Sequence, residues 1–320
     1  MMRLIAACLA FSFASALADV PRLTLATWNL EWMMLPATFD ALASACSKPD
    51  HRARGNERAI PCDLVPKARW SEGDLRRIRD FAATLPADVI ALQEIDGVQV
   101  AEKIFPDREF CFTKRRHVQN VGFAIRRGIP FRCNRDVRAL GLPENDVRWG
   151  ADVTIDPGSL REMRLLAVHL KASCNRDPLT DDRPDCRLLQ RQVPVLEDWI
   201  DRRARAGDAF AVVGDLNRRF DREGKAPRDA AGAIVAMWPE IDDGDPEGAD
   251  LVNPGVEHGA VGCGNGHGTR MPIDHLILGR RLAQRLVADS YRVWDYPDGP
   301  RWPDHCVISI ELEREARHGL

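Results

Sequence analysis

The sequence predicts a single mixed α/β domain (α+β in the broad sense), on three observations. Short apolar runs typical of strands alternate along the chain with segments of helical spacing. Neither a low-complexity tract nor a long linker divides the chain. With 320 residues, 45% of them hydrophobic, it can bury a core between two layers of sheet.

The elements follow in order. Leu23 to Trp28 alternates like a half-buried strand. Residues 40–68 are polar, basic and proline-containing, and read as a long loop. Ser71 followed by Asp74 resembles a helix start, with Leu75, Ile78, Phe81, Ala82 and Leu85 at helical spacing and Pro86 as the stop. Val89-Ile90-Ala91-Leu92 reads as a strand buried on both faces. Further strands are expected at 121–125, 149–155, 164–170, 209–213, 273–278 and 305–312. A helix is expected over about 187–205, with a kink at Pro194. Residues 221–271 are rich in Gly, Pro and Asp and read mostly as loop.

The first residues stand apart from the domain. Arg3 is followed by an apolar run from Leu4 to Leu17 and by Ala16-Leu17-Ala18, the pattern of a signal peptide over 1–18. The mature domain is then 19–320, secreted or periplasmic. Loss of Cys8 leaves eight cysteines, an even count that suits disulfides in an exported chain. Proximity favours Cys174 with Cys186 and Cys46 with Cys62, leaving Cys111, Cys133, Cys263 and Cys306 to pair. His258, Cys263 and His267 raise a zinc site, but they lack the paired spacing of structural zinc motifs. The formal net charge of -3, with acids and bases interleaved, includes no basic tail or lysine block.

Polar residues gather at strand ends. Asn29 and Glu31 lie two apart at the end of the first strand, where an extended backbone points both to one face. Gln93 and Glu94 close the 89–92 strand, and His169 and Lys171 close the next. Gly214-Asp215-Leu216-Asn217 follows 209–213; Asp274-His275 and Asp304-His305 open the last two strands. Singly, such an Asp or Asn is a turn former and such a His a hydrogen-bonded structural residue. Six such places in one chain shift the balance toward a site, since sheet-end groups converge when their strands are neighbours.

WNLEW at 28–32, LQE at 92–94, HLK at 169–171, GDLN at 214–217, IDH at 273–275 and DHC at 304–306 resemble, in order, the motifs of the endonuclease/exonuclease/phosphatase superfamily. The resemblance spans residues 23–312. It implies a DNase I-like, four-layer α/β/β/α sandwich of two packed mixed β-sheets, and a phosphoesterase requiring Mg²⁺ or Mn²⁺. Phosphodiesters resist attack because their oxygens are anionic. Hydrolysis therefore needs charge neutralisation, a positioned water and help for the leaving oxygen. Glu94 with Asn29, supported by Glu31 and Asp304, offers hard oxygen ligands to such an ion. Asp215 and Asn217 suit the attacking water, and His305 oriented by Asp274 suits the phosphoryl oxygen or a proton. His169 suits the pentacoordinate state or the leaving group, and Lys171 suits a phosphate contact or bulk solvent.

One departure from the superfamily pattern stands out. DNase-like members carry a Glu before the strand matching Gly122 to Ile125 as a partner for the histidine. Here Arg115 to Val121 contains no acid, and Arg116 or Asn120 is left to face the phosphate. His169 is therefore expected to be less supported as a proton carrier than His305. The substrate is a phosphate ester, with nucleic acid ahead of phospholipid, and the chain is expected to act as a monomer. The competing readings are a phospholipase C or sphingomyelinase, and a non-catalytic binding module of the same fold.

Overall fold

The computed structural model describes residues 22–46, 58–143, 147–257, 259 and 272–314. The segment 1–18 read as a signal peptide, and His258, Cys263 and His267, lie outside the described residues. In chain order the strands are β1 (Arg22–Met33), β2 (Val89–Ile95), β3 (Arg108–Phe112), β4 (Asn120–Arg126), β5 (Phe131–Cys133), β6 (Ala151–Ile155), β7 (Met163–His169), β8 (Phe210–Asp215), β9 (Leu251–Val252), β10 (Asp274–Gly279), β11 (Arg292–Trp294) and β12 (Val307–Glu313). They form two six-stranded sheets, ordered β11-β12-β1-β2-β4-β3 and β5-β6-β7-β8-β10-β9. Both are mixed, with β1 parallel to β2 and β7 parallel to β8. The expected four-layer sandwich is the fold observed.

Alternation along β1 shows why the layers form. Leu23 and Leu25 face inward to the core between the sheets, with Val89, Phe123, Val153, Leu165, Val213 and Leu276. Ala26, Trp28 and Leu30 face the other way, against the helices α2 (Glu72–Ala82) and α3 (Val98–Ile104). On the far side, Leu189, Val193, Leu196 and Ile200 of α4 (Pro184–Arg205) cover the second sheet. Each such buried side chain contributes about 1.5–3 kcal/mol of transfer free energy, so both sheets are held from both faces.

Ser71 and Asp74 form the expected capping box. Asp74 N–H donates to Ser71 Oγ (3.1 Å) and Ser71 N–H donates to Asp74 Oδ2 (2.9 Å), a cap typically worth ~1 kcal/mol. Pro194 lies inside α4. The elements that the sequence pattern does not reveal are short. They include α1 (Pro36–Ser44) within the stretch read as loop, together with α3, β3, β5, β9 and β11. In strands of two to five residues, and helices of nine and seven, neither period repeats often enough to stand out.

Three disulfides join described residues: Cys46–Cys62, Cys174–Cys186 and Cys111–Cys133. Cys111–Cys133 ties β3 to β5, the edge strands of the two sheets. Cys174–Cys186 anchors the loop after β7 to α4. With a sequence separation of 12, this closure stabilises the fold by about 3 kcal/mol in the chain-entropy account. Cys174→Ala/Cys186→Ala is therefore expected to lower unfolding stability by about 2–3 kcal/mol in a denaturant titration. Peptide mapping without reductant should find the two residues linked; free thiols there would exclude the pairing.

Candidate active site

Strand direction alone brings the motif residues to one edge. Asn29 pairs with Gln93 where parallel β1 and β2 end, and His169 pairs with Asp215 where parallel β7 and β8 end. β10 runs antiparallel to β8 and starts there, with Asp274 opposite Asp215. β12 runs antiparallel to β1, so Asp304 and His305 arrive at the same edge. The two sheets contribute comparable shares of one cluster.

Asn29 is fully buried, and its amide nitrogen donates to Glu94 Oε1 (3.3 Å) and Asp215 Oδ2 (3.1 Å), one on each sheet. Trp32 N–H donates to Glu94 Oε2 (3.1 Å). Asp215 Oδ1 accepts the Asn217 backbone N–H (2.8 Å), and Asn217 Nδ2 donates to Leu170 O (3.2 Å). His305 Nδ1 donates to Asp274 Oδ2 (2.6 Å), and its Nε2 lies 3.9 Å from Asp215 Oδ2. His169 Nε2 sits between Asp215 Oδ2 (3.5 Å) and Glu94 Oε1 (3.6 Å).

The backbone is strained where these side chains are aimed. Glu31, Trp32, Glu94 and Asn217 have positive φ (47°, 53°, 55° and 54°). Pairing is irregular between Asn29 and Met33 in β1 and between Leu92 and Ile95 in β2. The left-handed conformation turns Glu31 and Glu94 out of the pleat, at a cost of order 1–3 kcal/mol each. Gly214 is required by close approach, because a Cβ there would stand 2.1 Å from Val168 O. The glycine of the GDLN motif thus lets β8 lie against the end of β7.

Burial and mutual repulsion set the charges. Glu31 is pushed up to about 7 by burial and by Asp304, with Arg301 opposing. Glu94 is raised by burial and Asp304, while His305 and Arg148 pull it back. Asp215 rises to about 7 through burial and Asp274. The two histidines diverge. Burial works against a charged His305, but Asp274, Asp215 and Asp304 outweigh it and hold the imidazolium well above its ordinary range. Burial, Arg148 and His305 keep His169 neutral.

Five side chains stand differently from the sequence expectation. His169 does face carboxylates, Glu94 and Asp215, because β7 ends beside β8 and opposite β2 of the other sheet; its Nδ1 is buried without a hydrogen-bond partner among the described residues. Lys171 is tied to Asp185 (2.6 Å). Arg116 is exposed while Arg115 is buried, and Asn120 Nδ2 donates to His117 O (2.5 Å). His275 is structural, with Nε2 against Arg218 O (2.8 Å) and Nδ1 against Asn253 Nδ2 (3.1 Å).

Arg148 had no motif to mark it. It lies just before β6, which pairs antiparallel with β7, so the topology delivers it beside His169. Its Nε donates to His169 O (3.0 Å) and its Nη2 to Leu170 O.

Asp215, Asp274 and His305 bring ligand atoms within 4.8 Å of one another, the spacing of a metal site. The 2.6 Å Asp274–His305 bond already engages the imidazole Nδ1, so that trio is better suited to handling a proton. Asp304 is 59% exposed at its side chain and is placed near Glu31 and Glu94, which leaves the Asn29, Glu31, Glu94 and Asp304 group open to an ion.

His305 should titrate well above an ordinary histidine in metal-free protein, and Asp274→Asn should bring it down. By linkage, a raised folded pKa adds stability that is fully present below the unfolded value near 6.5, and it is lost as pH rises through the folded value. Proton-detected titration of the imidazole would check this; an unshifted His305 in Asp274→Asn would exclude Asp274 as the cause.

No protein-family model matches the sequence, and a search of curated proteins finds no match. Solved structures do match. TDP2 from Caenorhabditis elegans aligns over 91% of this chain and 74% of its own, with a TM-score of 0.56 and 13% identity. The 3′ phosphatase NExo from Neisseria, bound to product DNA hairpin, aligns over 91% and 99%, with a TM-score of 0.54 and 15% identity. The human Nocturnin catalytic domain with bound sulfate aligns over 92% and 94%, with a TM-score of 0.53 and 14% identity. At these identities the likeness establishes the fold: the chain adopts the DNase I-like sandwich that its six motifs imply.

Proposed function

We propose that this chain is a divalent-metal-dependent phosphoesterase that hydrolyses a phosphodiester or phosphomonoester bond, acting after export as a nuclease. The observation that carries the reading is the charge imbalance at the site. Glu31, Glu94 and Asp215 are all raised by burial and by neighbouring acids, Asp304 or Asp274, which Arg301, Arg148 and His305 offset only in part. A bound cation would relieve that repulsion, and the oxygen donors of Asn29, Glu31, Glu94 and Asp304 fit Mg²⁺ or Mn²⁺. Such an ion, when bound, supplies Lewis-acid neutralisation of a phosphoryl oxygen.

The chain's own residues account for the remaining needs. Asp215, held by Asn29 and the Asn217 N–H, is set to take a proton from the attacking water while Asn217 orients it. His305, charged and fixed by Asp274, donates toward a phosphoryl oxygen. Neutral His169 completes the pocket opposite. Two readings differ from this one. A lipid phosphodiesterase would use the same chemistry on another substrate. A binding module would need the constellation dismantled, whereas its side chains converge. The amino-terminal segment 1–18 is what supports export.

Hydrolysis of bis-p-nitrophenyl phosphate should occur with Mg²⁺ or Mn²⁺ and stop with EDTA. Glu94→Gln should lower the rate by orders of magnitude and weaken Mg²⁺ binding in calorimetry; unchanged affinity would remove Glu94 from the ligand set. His305→Ala should cost at least about tenfold more than His169→Ala in single-turnover rates, equivalent to ~1.4 kcal/mol of transition-state stabilisation. Equal or reversed losses would mean that His169 carries charge in the transition state after all.

A further inference from the structure

A groove of about 890 Å³ opens on the flank of the sandwich, lined by Lys114, Cys133, Asn134, Arg135, Asp136, Arg138 and Arg164. The Cys111–Cys133 disulfide fixes its wall by joining the two sheet edges. Four cations meet one acid there, on a chain whose formal charge is -3. Arg164 is occupied by Asp152, and the one acid, Asp136, accepts the Lys114 backbone N–H (2.8 Å). Lys114, Arg135 and Arg138 are exposed and make no ion pair among the described residues. Three cations without an acid partner make a local positive field against the global sign.

A short chain of contacts links the groove to the site. The Arg138 guanidinium lies over the Trp149 ring, 4.9 Å from its centroid. Arg148, the residue before that tryptophan, holds the carbonyls of His169 and Leu170. Val137 bridges to Gly150 on the same side. Lys114 leaves the end of β3, next to the start of β4 at the active edge.

We propose that this groove holds the sugar–phosphate backbone of a single-stranded nucleic acid whose scissile phosphate lies at the strand-end cluster. The inference rests on the phosphoesterase reading and names its substrate class. Fixed arginines fork onto phosphate oxygens, and a repeating polyanion is the ligand that engages several separated cations at once. A lipid surface fits less well. The large hydrophobic residues exposed among the described residues are Val98, Leu160 and Val256, and none lines the groove.

The test uses full-length protein carrying Glu94→Gln, so that nothing is cut, and a fluorescein-labelled single-stranded oligonucleotide in an anisotropy titration against salt. Adding Arg135→Gln and Arg138→Gln should weaken binding by about tenfold or more at low salt. The slope of log affinity against log salt should become shallower by about 1.4, at ~0.7 for each phosphate that is no longer neutralised. In protein with Glu94 intact, the two substitutions should leave bis-p-nitrophenyl phosphate turnover unchanged, since that substrate does not reach the groove. Unaltered oligonucleotide affinity and slope would overturn the proposal. So would loss of binding to anionic phosphatidylglycerol vesicles with oligonucleotide binding intact, which would assign the groove to a membrane. Circular dichroism checks the fold, and Lys114→Gln with Arg138→Gln repeats the test should the first pair misfold. If the protein bound the oligonucleotide through the groove but hydrolysed no diester, the groove would stand and the hydrolase reading would fall.

Discussion

The candidate site depends on one buried amide. Asn29 Nδ2 donates at once to Glu94 on the first sheet and Asp215 on the second. Without it, those carboxylates would face each other across the sandwich with only the imidazole of His169 nearby. A buried hydrogen bond to a charged group contributes about 1.5–3 kcal/mol, and leaving such a group unmet costs more. Asn29 is therefore both a stitch between sheets and the reference point for every distance in the cluster. Its own Oδ1 accepts the Glu31 backbone N–H (3.1 Å), which fixes the amide's orientation. The same contact holds the chain where it enters the left-handed turn.

That arrangement spends stability. Three carboxyl groups raised above their ordinary range, and left-handed backbone at Glu31, Glu94 and Asn217, are all unfavourable to the isolated fold. The surrounding structure over-determines them. Trp70 Nε1 donates to Glu31 O (2.8 Å) while Arg301 stacks 3.8 Å from the Trp70 ring centroid. Trp28 Nε1 donates to Tyr296 OH (2.7 Å), which donates in turn to His305 O. These contacts belong to the aromatic packing between the first sheet and α2, so the outer layer restrains the edge that carries the candidate site as well as burying apolar surface. Strain at a site, held by packing elsewhere, is a usual mark of a functional constellation.

How much of this the sequence revealed follows from the range of each signal. The α2 cap, the apolar run of β2 and the α4 stripe were legible because local periodicity and hydrogen bonding produce them. The strand-end residues were legible as a set, since six ordered motifs carried them. Arg148 was not, because only the antiparallel pairing of β6 with β7 places it beside His169. The approach of His169 to Glu94 and Asp215 was equally hidden. The superfamily pattern points to the segment before 121–125 for a partner, while the carboxylates come from β8, the parallel neighbour of β7, and from β2 in the opposite sheet. Local sequence names side chains; strand order decides which of them meet.

Strand order also explains why two histidines in one pocket hold opposite charge states. His305 follows Asp304 and lies against Asp274 because β10 and β12 both begin at this edge, so the negative groups nearest it outweigh its burial. His169 ends β7, two strands from β10 with β8 between them, where Arg148 holds its carbonyl and the positive charge of His305 is close. Its carboxylate neighbours, Glu94 and Asp215, are themselves raised and engaged by Asn29, so they do little to charge it. A charged donor and a neutral imidazole on the two sides of Asp215 match the division of labour that the proposed hydrolysis would use. It arises here from which strand ends carry acids and which carry an arginine.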